Sequence, residues 1–353
     1  MAQKAESWEG SQDEDIGFDP NSGHLLEVRD LHVEFPTDYG LVTAVNGLSY
    51  TLDRHETLAI LGESGSGKSV SALAVMGIID RPGHIPKGEV LLHGVDLLKL
   101  PERKLRDVRG ERIAMIFQDA LTALNPVYSV GWQIAEMYRQ HRGVGKKEAF
   151  DRAVDLMDRV RIPNARARVN DYPHQFSGGM RQRVMIAMAL SLDPDVLIAD
   201  EPTTALDVTV QAQIMKLLSD LQAETGMGLI LITHDLGVVA EVCDNINVMY
   251  AGRAMERAPI HELYARPAHP YTLGLMHSIP RADRKGMRLD PIPGQPPNLA
   301  RIPSGCEFHP RCNFRRDVCT TDPPPLYKVD HQRESACHFW EEVLSGGQRP
   351  TQH

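Results

Sequence analysis

The sequence predicts an α/β fold in which a parallel sheet carries helices on its faces. Short apolar runs between turn-forming residues indicate strands at positions 25–35, 44–52, 57–61, 88–92, 113–117, 196–200, 229–233 and 246–250. Apolar residues at helical spacing indicate helices at positions 69–79, 179–192 and 210–225. Because strands and helices alternate in the second half of the chain, we expect the central strands to run parallel.

The composition is that of a globular protein, and it excludes some classes of function. With 353 residues, of which 42% are hydrophobic and 24% charged, the chain is long enough for about two domains. The net charge of −9 argues against a nucleic-acid partner, because such binding needs clustered Lys and Arg side chains. No apolar run approaches the roughly 20 residues that cross a bilayer. We therefore expect a chain that binds no nucleic acid and does not itself span a membrane.

Changes in composition divide the chain into a core and three flanking parts. Residues 1–24 are acidic and polar and lack the apolar core of a secretory signal, so we expect a disordered N-terminal tail in the cytosol. Residues 25–265 contain the predicted sheet. Residues 266–340 are rich in proline, which predicts an irregular C-terminal extension, and residues 341–353 are expected to form a disordered tail.

A helical insert interrupts the predicted sheet at about residues 119–183. The stretch "KKEAFDRAVDLMDRVRI" shows the helical pattern, with its apolar side chains on one face. Those side chains are Phe150, Val154, Leu156, Met157 and Val160. We expect this insert to pack on the α/β core.

The stretch "GESGSGKS", residues 62–69, predicts a phosphate-binding loop. It matches the P-loop pattern G-x-x-x-x-G-K-[ST], and it follows a predicted strand and opens a predicted helix, as a genuine P-loop does. The glycines let backbone N–H groups turn towards phosphates, the lysine reaches the β- and γ-phosphates, and the last serine ligates Mg²⁺. The residues expected to bind the nucleotide here are Gly62, Glu63, Ser64, Gly65, Ser66, Gly67, Lys68 and Ser69.

Two adjacent carboxylates end the predicted strand in "DVLIADEP". The apolar residues before them indicate a buried strand that ends at the same sheet edge as the P-loop. Asp200 is therefore placed to hold Mg²⁺, and Glu201 is placed to orient the attacking water or accept its proton. Together with the P-loop, the two carboxylates predict a nucleotide-hydrolysing site.

The stretch "FSGGMRQR", residues 176–183, resembles the signature motif of the ATP-binding cassette (ABC) ATPases. Other marks of this family stand in their usual order within residues 25–265. They are Tyr39 ahead of the P-loop, Gln118 in "IFQD", Leu206 and Asp207 in "TTALD", and His234 in "LITHD". The resemblance implies a P-loop ABC ATPase cassette, which combines a RecA-like core, an antiparallel β-subdomain and a helical insert.

The resemblance also implies a task for each of these side chains. Tyr39 would stack on adenine, Gln118 would contact Mg²⁺ and the attacking water, and His234 would hydrogen-bond the γ-phosphate. The expected catalytic residues are thus Glu201, His234 and Gln118, and the expected Mg²⁺ ligands are Ser69, Gln118 and Asp200.

The signature residues imply a second subunit. Ser177, Gly178 and Gly179 precede a helix and so form an anion site, which in this family faces the ATP bound by a partner ATPase. Phe176 and Met180 depart from the Leu and Gln that the family commonly carries, but neither change removes a backbone N–H group or the serine hydroxyl. The expected working unit is a head-to-tail dimer with ATP at its interface.

Longer stretches resemble the ATP-binding subunits of oligopeptide and dipeptide importers. They are "FQDALTALNPVYSVGWQI", "GGMRQRVMIAMAL", "ARPAHPYTLGLMHSIPR" and "IPGQPPNL". The resemblance implies ATP-driven peptide uptake at the cytoplasmic face of the cell membrane. The implied partners are a second, different ABC ATPase subunit, two transmembrane permease subunits and, indirectly, an extracytoplasmic substrate-binding protein. Residues 119–130 are the expected contact with a permease helix.

Alternatives stay open at this point. Close relatives of the peptide importers carry nickel chelates, glutathione or certain sugars, and the sequence does not distinguish these cargoes. A soluble ABC ATPase of iron–sulfur assembly is an alternative of a different class, although such proteins usually lack a long C-terminal extension. A non-hydrolysing regulatory protein is disfavoured, because Glu201 and His234 are both present.

Four of the five cysteines lie in the extension and predict a metal site. Cys306, Cys312, Cys319 and Cys337 are spaced C-x5-C-x6-C-x17-C, whereas Cys243 stands apart near a strand and is expected to be a buried thiol. In the reducing cytosol, four such thiolates suit a [4Fe–4S] cluster or a zinc ion, and unliganded cysteines are the third alternative.

A cluster is favoured over zinc, because the paired C-x2-4-C knuckles of zinc sites are absent, although His309 or His338 could complete a zinc site. Related peptide-importer subunits carry a similar cysteine pattern with a [4Fe–4S] cluster. The resemblance therefore implies this cofactor in addition to ATP and Mg²⁺. Its expected role is structural, since metal–ligand bonds would staple a segment too rich in proline to fold alone.

Overall fold

The computed structural model describes residues 16–19, 22–38, 40–204, 206–278 and 291–346. The strands are β1 (Leu26–Thr37), β2 (Gly40–Leu52), β3 (Thr57–Leu61), β4 (His84–Leu92), β5 (Val95–Asp96), β6 (Ile113–Ile116), β7 (Val196–Asp200), β8 (Gly228–Thr233), β9 (Asn245–Tyr250), β10 (Arg253–Pro259), β11 (Tyr327–Lys328) and β12 (Glu334–Ser335). The helices are α1 (Lys68–Val75), α2 (Glu102–Glu111), α3 (Ala120–Ala123), α4 (Val130–Arg142), α5 (Lys146–Arg159), α6 (Ala165–Arg168), α7 (Gly178–Leu190), α8 (Val208–Thr225), α9 (Leu236–Val242), α10 (Ile260–Ala265), α11 (Pro270–His277), α12 (Val318–Thr321) and α13 (Trp340–Leu344).

The smaller of two sheets is antiparallel and has the strand order β2-β1-β4-β5. Strands β1 and β2 form a long hairpin in which Leu26 lies opposite Leu52. The apolar face of this sheet shares one core with β3 and α1, through side chains such as Leu31, Ile60 and Ala72. This sheet is the antiparallel β-subdomain that the family resemblance implies.

The larger sheet has the strand order β11-β12-β10-β9-β3-β8-β7-β6. Its central strands β9, β3, β8, β7 and β6 run parallel, whereas β10, β12 and β11 are antiparallel to their neighbours. Every residue of β3 and β7 is buried, as is typical of parallel strands that are covered on both faces. The predicted α/β fold class is therefore confirmed, and the carboxyl ends of β3, β7 and β8 meet at one edge of the sheet.

The segment between β6 and α7 is helical and contains α3 to α6. Of its predicted apolar face, Val154, Leu156, Met157 and Val160 are buried, and Phe150 is partly buried. These side chains belong to the same apolar core as strands β7 and β8, so the insert is anchored on the sheet.

The extension is not irregular throughout, which corrects the prediction from its proline content. Helix α11 begins with Pro270, where proline is tolerated because the first residue of a helix needs no N–H donor. His269 caps this helix, since its Nδ1 accepts a hydrogen bond of 3.0 Å from the backbone N–H of Tyr271. Strand β12 pairs with β10, so the extension also adds a strand to the edge of the larger sheet.

Described residues within the expected N-terminal tail contact the core. Ile16 and Phe18 pack against the core of the β-subdomain, and the Phe18 ring lies 6.1 Å from the His93 ring, edge to face. Residues 1–15, 20 and 21 lie outside the described residues.

The expectation of disorder from residue 341 onwards is wrong for its first residues, because α13 continues to Leu344. Val343 is buried against Phe314, and Trp340 packs on the same small cluster. The apolar partners come from elsewhere in the extension, and the local composition does not reveal them. Residues 347–353 lie outside the described part of the chain.

Within the described residues, every helix is too short or too polar to cross a membrane.

Candidate functional site

The P-loop follows β3 and opens α1, as predicted, and its glycines are required by its shape. Gly67 has a φ of 99°, and a Cβ there would collide with the Ala44 carbonyl oxygen. A Cβ on Gly62 would collide with the Met249 carbonyl oxygen, and Gly65 has a φ of 77°. The loop therefore forms a backbone cradle at the N-terminus of α1, which is a favourable position for phosphate groups.

Two polar side chains of the loop fit a nucleotide. Lys68 is 5% exposed, and its Nζ donates to the carbonyl oxygens of Gly62 at 2.9 Å and Glu63 at 3.0 Å. Burial lowers the pKa of Lys68, although the carboxylates of Glu201, Asp200 and Glu63 act in the opposite direction. The Ser66 hydroxyl is buried and has no hydrogen-bond partner among the described residues, as expected for a group that awaits a phosphate oxygen. Ser64 is exposed to solvent.

Two of the predicted Mg²⁺ ligands lie together at the end of β7. The Ser69 hydroxyl donates a hydrogen bond of 3.0 Å to Oδ1 of Asp200. Burial raises the pKa of Asp200 despite this hydrogen bond, and the neighbouring Glu201 charge adds to the rise. A hydroxyl and a carboxylate at this position are ligands of the kind that Mg²⁺ prefers, so the donor set fits the ion.

The other two predicted catalytic residues, Gln118 and His234, converge on Glu201. Nε2 of Gln118 donates to Oε2 of Glu201 at 3.0 Å, and Nδ1 of His234 lies 3.2 Å from Oε1. The Thr204 hydroxyl also donates to Oε2, at 2.8 Å. Glu201 has a φ of 44°, a left-handed conformation that is uncommon for a residue with a side chain and is typical of functional sites.

The hydrogen bonds set the ionisation of Glu201. Burial pushes the pKa of its carboxyl group up, but the hydrogen bonds from Thr204 and His234 outweigh burial, so that the pKa lies below its ordinary value. Glu201 is therefore a carboxylate at neutral pH, as a proton acceptor must be. The role of Thr204 was not predicted. A hydroxyl three residues after a catalytic carboxylate, within a turn, could have indicated a hydrogen bond between the two side chains.

The signature residues lie at the N-terminus of α7. Ser177 caps α7, since its hydroxyl accepts a hydrogen bond of 3.4 Å from the Met180 N–H. Gly179 lies so close to α8 that a Cβ would collide with the Val210 side chain. Ser177 and Gly178 are exposed, which leaves the N-terminus of α7 open to solvent. Tyr39, the predicted adenine contact, falls outside the described residues.

A contact between the P-loop and the extension was not predicted. Arg311 donates to both carboxylate oxygens of Glu63, at 2.6 and 3.0 Å. The backbone N–H of Glu63 donates to the Tyr271 hydroxyl at 3.0 Å. No motif points to these residues, because they lie more than 200 positions from Glu63 in the sequence.

The four cysteines of the extension line one small cavity. Cys306, Cys312, Cys319 and Cys337 all face it, together with the Phe308 ring. Burial raises the pKa of the thiols of Cys306 to about 11 and of Cys312 and Cys337 to about 12. The sulfur of Cys312 accepts a hydrogen bond of 3.3 Å from the Phe314 N–H, and the sulfur of Cys337 accepts one of 3.4 Å from the Phe339 N–H.

No group of three or more His, Cys, Asp or Glu side chains in the described ranges could hold a metal ion, so the structure by itself gives no support to the predicted metal site at these cysteines. Of the candidate zinc ligands, His338 uses both ring nitrogens for hydrogen bonds, to the Tyr327 hydroxyl and to the Asp322 carbonyl oxygen. His309 uses Nδ1 to contact the Cys306 carbonyl oxygen. Cys243 is a buried thiol in the main core, as expected.

An apolar groove of about 450 Å³ lies between the sheet and the helical insert, beside Gln118. Methionines dominate its lining, which also includes Phe117 and Leu124. Nearby, Val127 and Tyr128 are exposed to solvent. This groove overlaps residues 119–130, the predicted permease contact.

Comparisons with known proteins agree with this site. Residues 45–204 match the ABC transporter family, and residues 255–319 match the C-terminal region of oligopeptide/dipeptide transporters. The structure resembles the dimeric structure of MJ0796, a bacterial ABC transporter cassette, with a TM-score of 0.60 and 26% identity over 67% of this chain and 98% of that chain.

Relatives matched over nearly their full length extend the match to about nine tenths of this chain. The oligopeptide transport ATP-binding protein OppD of Salmonella typhimurium is 54% identical over 313 residues, which cover 89% of this chain and 93% of that protein. OppD of Haemophilus influenzae is 52% identical over 321 residues, which cover 91% of this chain and 99% of that protein. The chain therefore belongs to the family of ATP-binding subunits of ABC-type oligopeptide transporters.

Proposed function

We propose that this chain is the ATP-hydrolysing subunit of a membrane complex that imports peptides. The observation that carries the proposal is the convergence of Gln118, Thr204 and His234 on Glu201, beside the Ser69–Asp200 pair and the P-loop. A protein that only bound nucleotide would not need a carboxylate held in this way. The names of the relatives indicate oligopeptides as cargo.

The residues of the chain divide the work of hydrolysis. The P-loop backbone and Lys68 bind the phosphates, and Ser69 and Asp200 would hold Mg²⁺, which neutralises the charge of the phosphate oxygens. Glu201 orients the attacking water and accepts its proton. Gln118 and His234 keep the Glu201 carboxylate in place until the γ-phosphate gives them a second partner.

The second half of each ATP site comes from a partner ATPase. Ser177, Gly178 and Gly179 would bind the ATP of the partner, because the N-terminus of α7 is exposed to solvent and can receive an anion from outside the chain. The dimeric form of the MJ0796 cassette supports this arrangement. In the importer the partner is a second, different ABC ATPase subunit.

The groove beside Gln118 would receive a helix of a permease subunit at the cytoplasmic face of the membrane. Its apolar lining and the exposed Val127 and Tyr128 suit a permease helix that presents apolar side chains to the groove. Gln118, which immediately precedes residues 119–130, donates a hydrogen bond to Glu201. A change of contacts at the γ-phosphate could therefore move the residues that line the groove. Two permease subunits and an extracytoplasmic peptide-binding protein complete the complex.

The test is peptide uptake by the complete complex in proteoliposomes. With wild-type chain we expect uptake of di- and oligopeptides that depends on ATP and stops with Glu201→Gln. Uptake of nickel chelates, glutathione or sugars in place of peptides would refute the proposal that peptides are the cargo. A chain that is active without any membrane partner would favour the iron–sulfur-assembly alternative, which the identities of 54% and 52% to peptide-transport proteins do not favour.

The four cysteines are proposed to hold a [4Fe–4S] cluster. The support is that they line one cavity and that two of their sulfurs accept backbone N–H bonds, which stabilise thiolates. A single zinc ion would need cysteine sulfurs that lie close together, whereas a [4Fe–4S] cluster binds cysteine sulfurs that are more widely spaced. The cluster would supply thiolate–iron bonds that hold the extension together.

Iron analysis of anaerobically purified protein tests this cofactor. We expect about four irons per chain, lost in Cys312→Ser and kept in the matched control Cys243→Ser, whose sulfur lies in the main core. Stoichiometric zinc would favour the zinc alternative. Four alkylatable thiols without metal would refute both sites.

A further inference from the structure

Glu63, the second residue of the P-loop, is held at three points. Its carboxylate accepts two hydrogen bonds from Arg311, from Nη1 to Oε2 at 2.6 Å and from Nη2 to Oε1 at 3.0 Å. Its backbone N–H donates to the Tyr271 hydroxyl at 3.0 Å. Its carbonyl oxygen accepts from Lys68 Nζ at 3.0 Å. Arg311 and Tyr271 both belong to the extension, so the extension fixes the opening of the loop.

The contact is partly buried and has several partners, unlike an ordinary surface ion pair. The Arg311 side chain is 6% exposed, and its Nε donates to the Pro293 carbonyl oxygen at 2.9 Å. Its Nη1 also donates to the Tyr250 hydroxyl at 3.3 Å. The rings of Tyr250, Tyr271 and Phe308 pack on one another beneath it, with centroids 4.8 to 5.3 Å apart. Bidentate pairs of this kind are stronger and more directional than exposed ones.

The charges give the contact a functional consequence. Glu63 places a carboxylate at the entrance of a loop that binds polyphosphate, and an unpaired carboxylate there would repel the ligand. Arg311 neutralises that charge through its two hydrogen bonds to the carboxylate. We infer that Arg311 is a positioning residue for nucleotide binding, which makes the C-terminal extension part of the ATP site. This inference rests on the proposed binding of ATP by residues 62–69.

The test measures the Kd of ATP, ADP and adenosine for the full-length chain, by calorimetry in the presence of Mg²⁺. We expect Arg311→Met to weaken ATP binding about tenfold, because it leaves the Glu63 carboxylate unpaired beside the loop that binds the phosphates. The loss should be smaller for ADP and absent for adenosine, which has no charge to be repelled. Arg311→Lys should lose less than Arg311→Met, because it keeps the charge but not the fork.

A charge rescue separates positioning from a general structural role. Glu63→Gln removes the repelling carboxylate, so the double variant Arg311→Met, Glu63→Gln should regain most of the wild-type ATP affinity. Glu63→Gln alone leaves the positive charge of Arg311 uncompensated beside the loop and should bind ATP more tightly than wild type. Arg316→Met is the matched control, since Arg316 pairs with Glu342 inside the extension and should not alter ATP affinity when removed.

The outcomes distinguish this inference from the proposed function. Equal ATP affinity of wild type and Arg311→Met, or an equal loss for ATP and adenosine, would overturn the role of Arg311. Should Arg311→Met not fold, weaker ATP binding by Glu63→Gln would overturn it instead. The proposed function fails only when wild type does not bind ATP, or when Lys68→Ala binds it as tightly as wild type.

Discussion

The core and the extension hold their functional side chains in different ways. In the core, the P-loop, Asp200 and His234 follow directly from the ends of buried parallel strands. In the extension, single polar side chains make contacts across long stretches of sequence, as Arg311 does with Glu63 over 248 positions. The site in the core is formed by the backbone topology, whereas the contacts of the extension depend on a few individual side chains.

A buried carboxylate shows how the extension is attached. Glu256, in β10, is fully buried and accepts hydrogen bonds from the backbone N–H groups of Ala268 at 2.7 Å and His269 at 3.0 Å. Arg333 lies 3.7 Å from the same carboxylate and is also buried. These contacts order the start of α11, so the attachment of the extension responds to charge in a way that the apolar core does not.

The largest expected effect lies in the core. Glu201→Gln removes the proposed proton acceptor but keeps the shape of the side chain, so turnover in the assembled complex should fall by about 10²- to 10⁴-fold. ATP affinity should be retained, because Glu201 serves the attacking water and not the bound phosphates. Steady-state ATPase assays and nucleotide titrations measure the two quantities. Glu341→Gln, an exposed carboxylate on α13, is the control and should retain full turnover.

The next effect separates the two halves of a composite site. Ser177→Arg places a bulky cation at the exposed N-terminus of α7, which should abolish turnover of the nucleotide bound by the partner. ATP binding to the P-loop of the same chain should be unchanged, since Ser177 contacts its own helix and not that loop. Binding and single-turnover assays on the ATPase pair can resolve the two sites. Loss of ATP binding by the mutated chain itself would contradict the arrangement.

The smallest expected effect tests the attachment of the extension. Burial raises the pKa of Glu256 to about 7, so between its unfolded value of 4.5 and pH 7 the folded chain binds more protons than the unfolded chain. This group therefore makes the protein less stable as the pH rises through that window. Relative to wild type, Glu256→Gln should gain about 1 kcal/mol in free energy of unfolding per pH unit from pH 5 to 7.

Denaturant unfolding at several pH values measures this difference. Burial lowers the pKa of His269 to about 3, which acts in the opposite direction, but His269 is present in both proteins and cancels in the comparison. Glu341→Gln again serves as the control and should show no change in slope. A stability difference between Glu256→Gln and wild type that is independent of pH would show that Glu256 stays ionised in the folded protein.

The sequence predicted the core well because its chemistry is local. The P-loop needs glycines at fixed positions, and the strand before Asp200 is a continuous apolar run, so both features are visible in a short window. The family resemblance implied that Gln118, Glu201 and His234 belong to one catalytic site, but the hydrogen bonds of Gln118 and His234 to Glu201 were not predicted.

The extension was predicted less well because its structure depends on tertiary contacts. Helix α11 was missed since proline suggests irregular backbone, yet Pro270 occupies the one helical position that accepts it. Helix α13 was missed because Val343 is buried only by residues of another segment. The pairing of Arg311 with Glu63 joins two residues that no periodicity or spacing connects.

The central claim is that ATP is hydrolysed between two ATPase subunits, each supplying half of a site. The most direct test is the ATP turnover of this chain alone and as its partner ATPase and permease subunits are added, with the molecular mass measured in the same samples. We expect little or no turnover from the monomer and a rise that follows assembly. Full turnover by a strictly monomeric chain would contradict the claim.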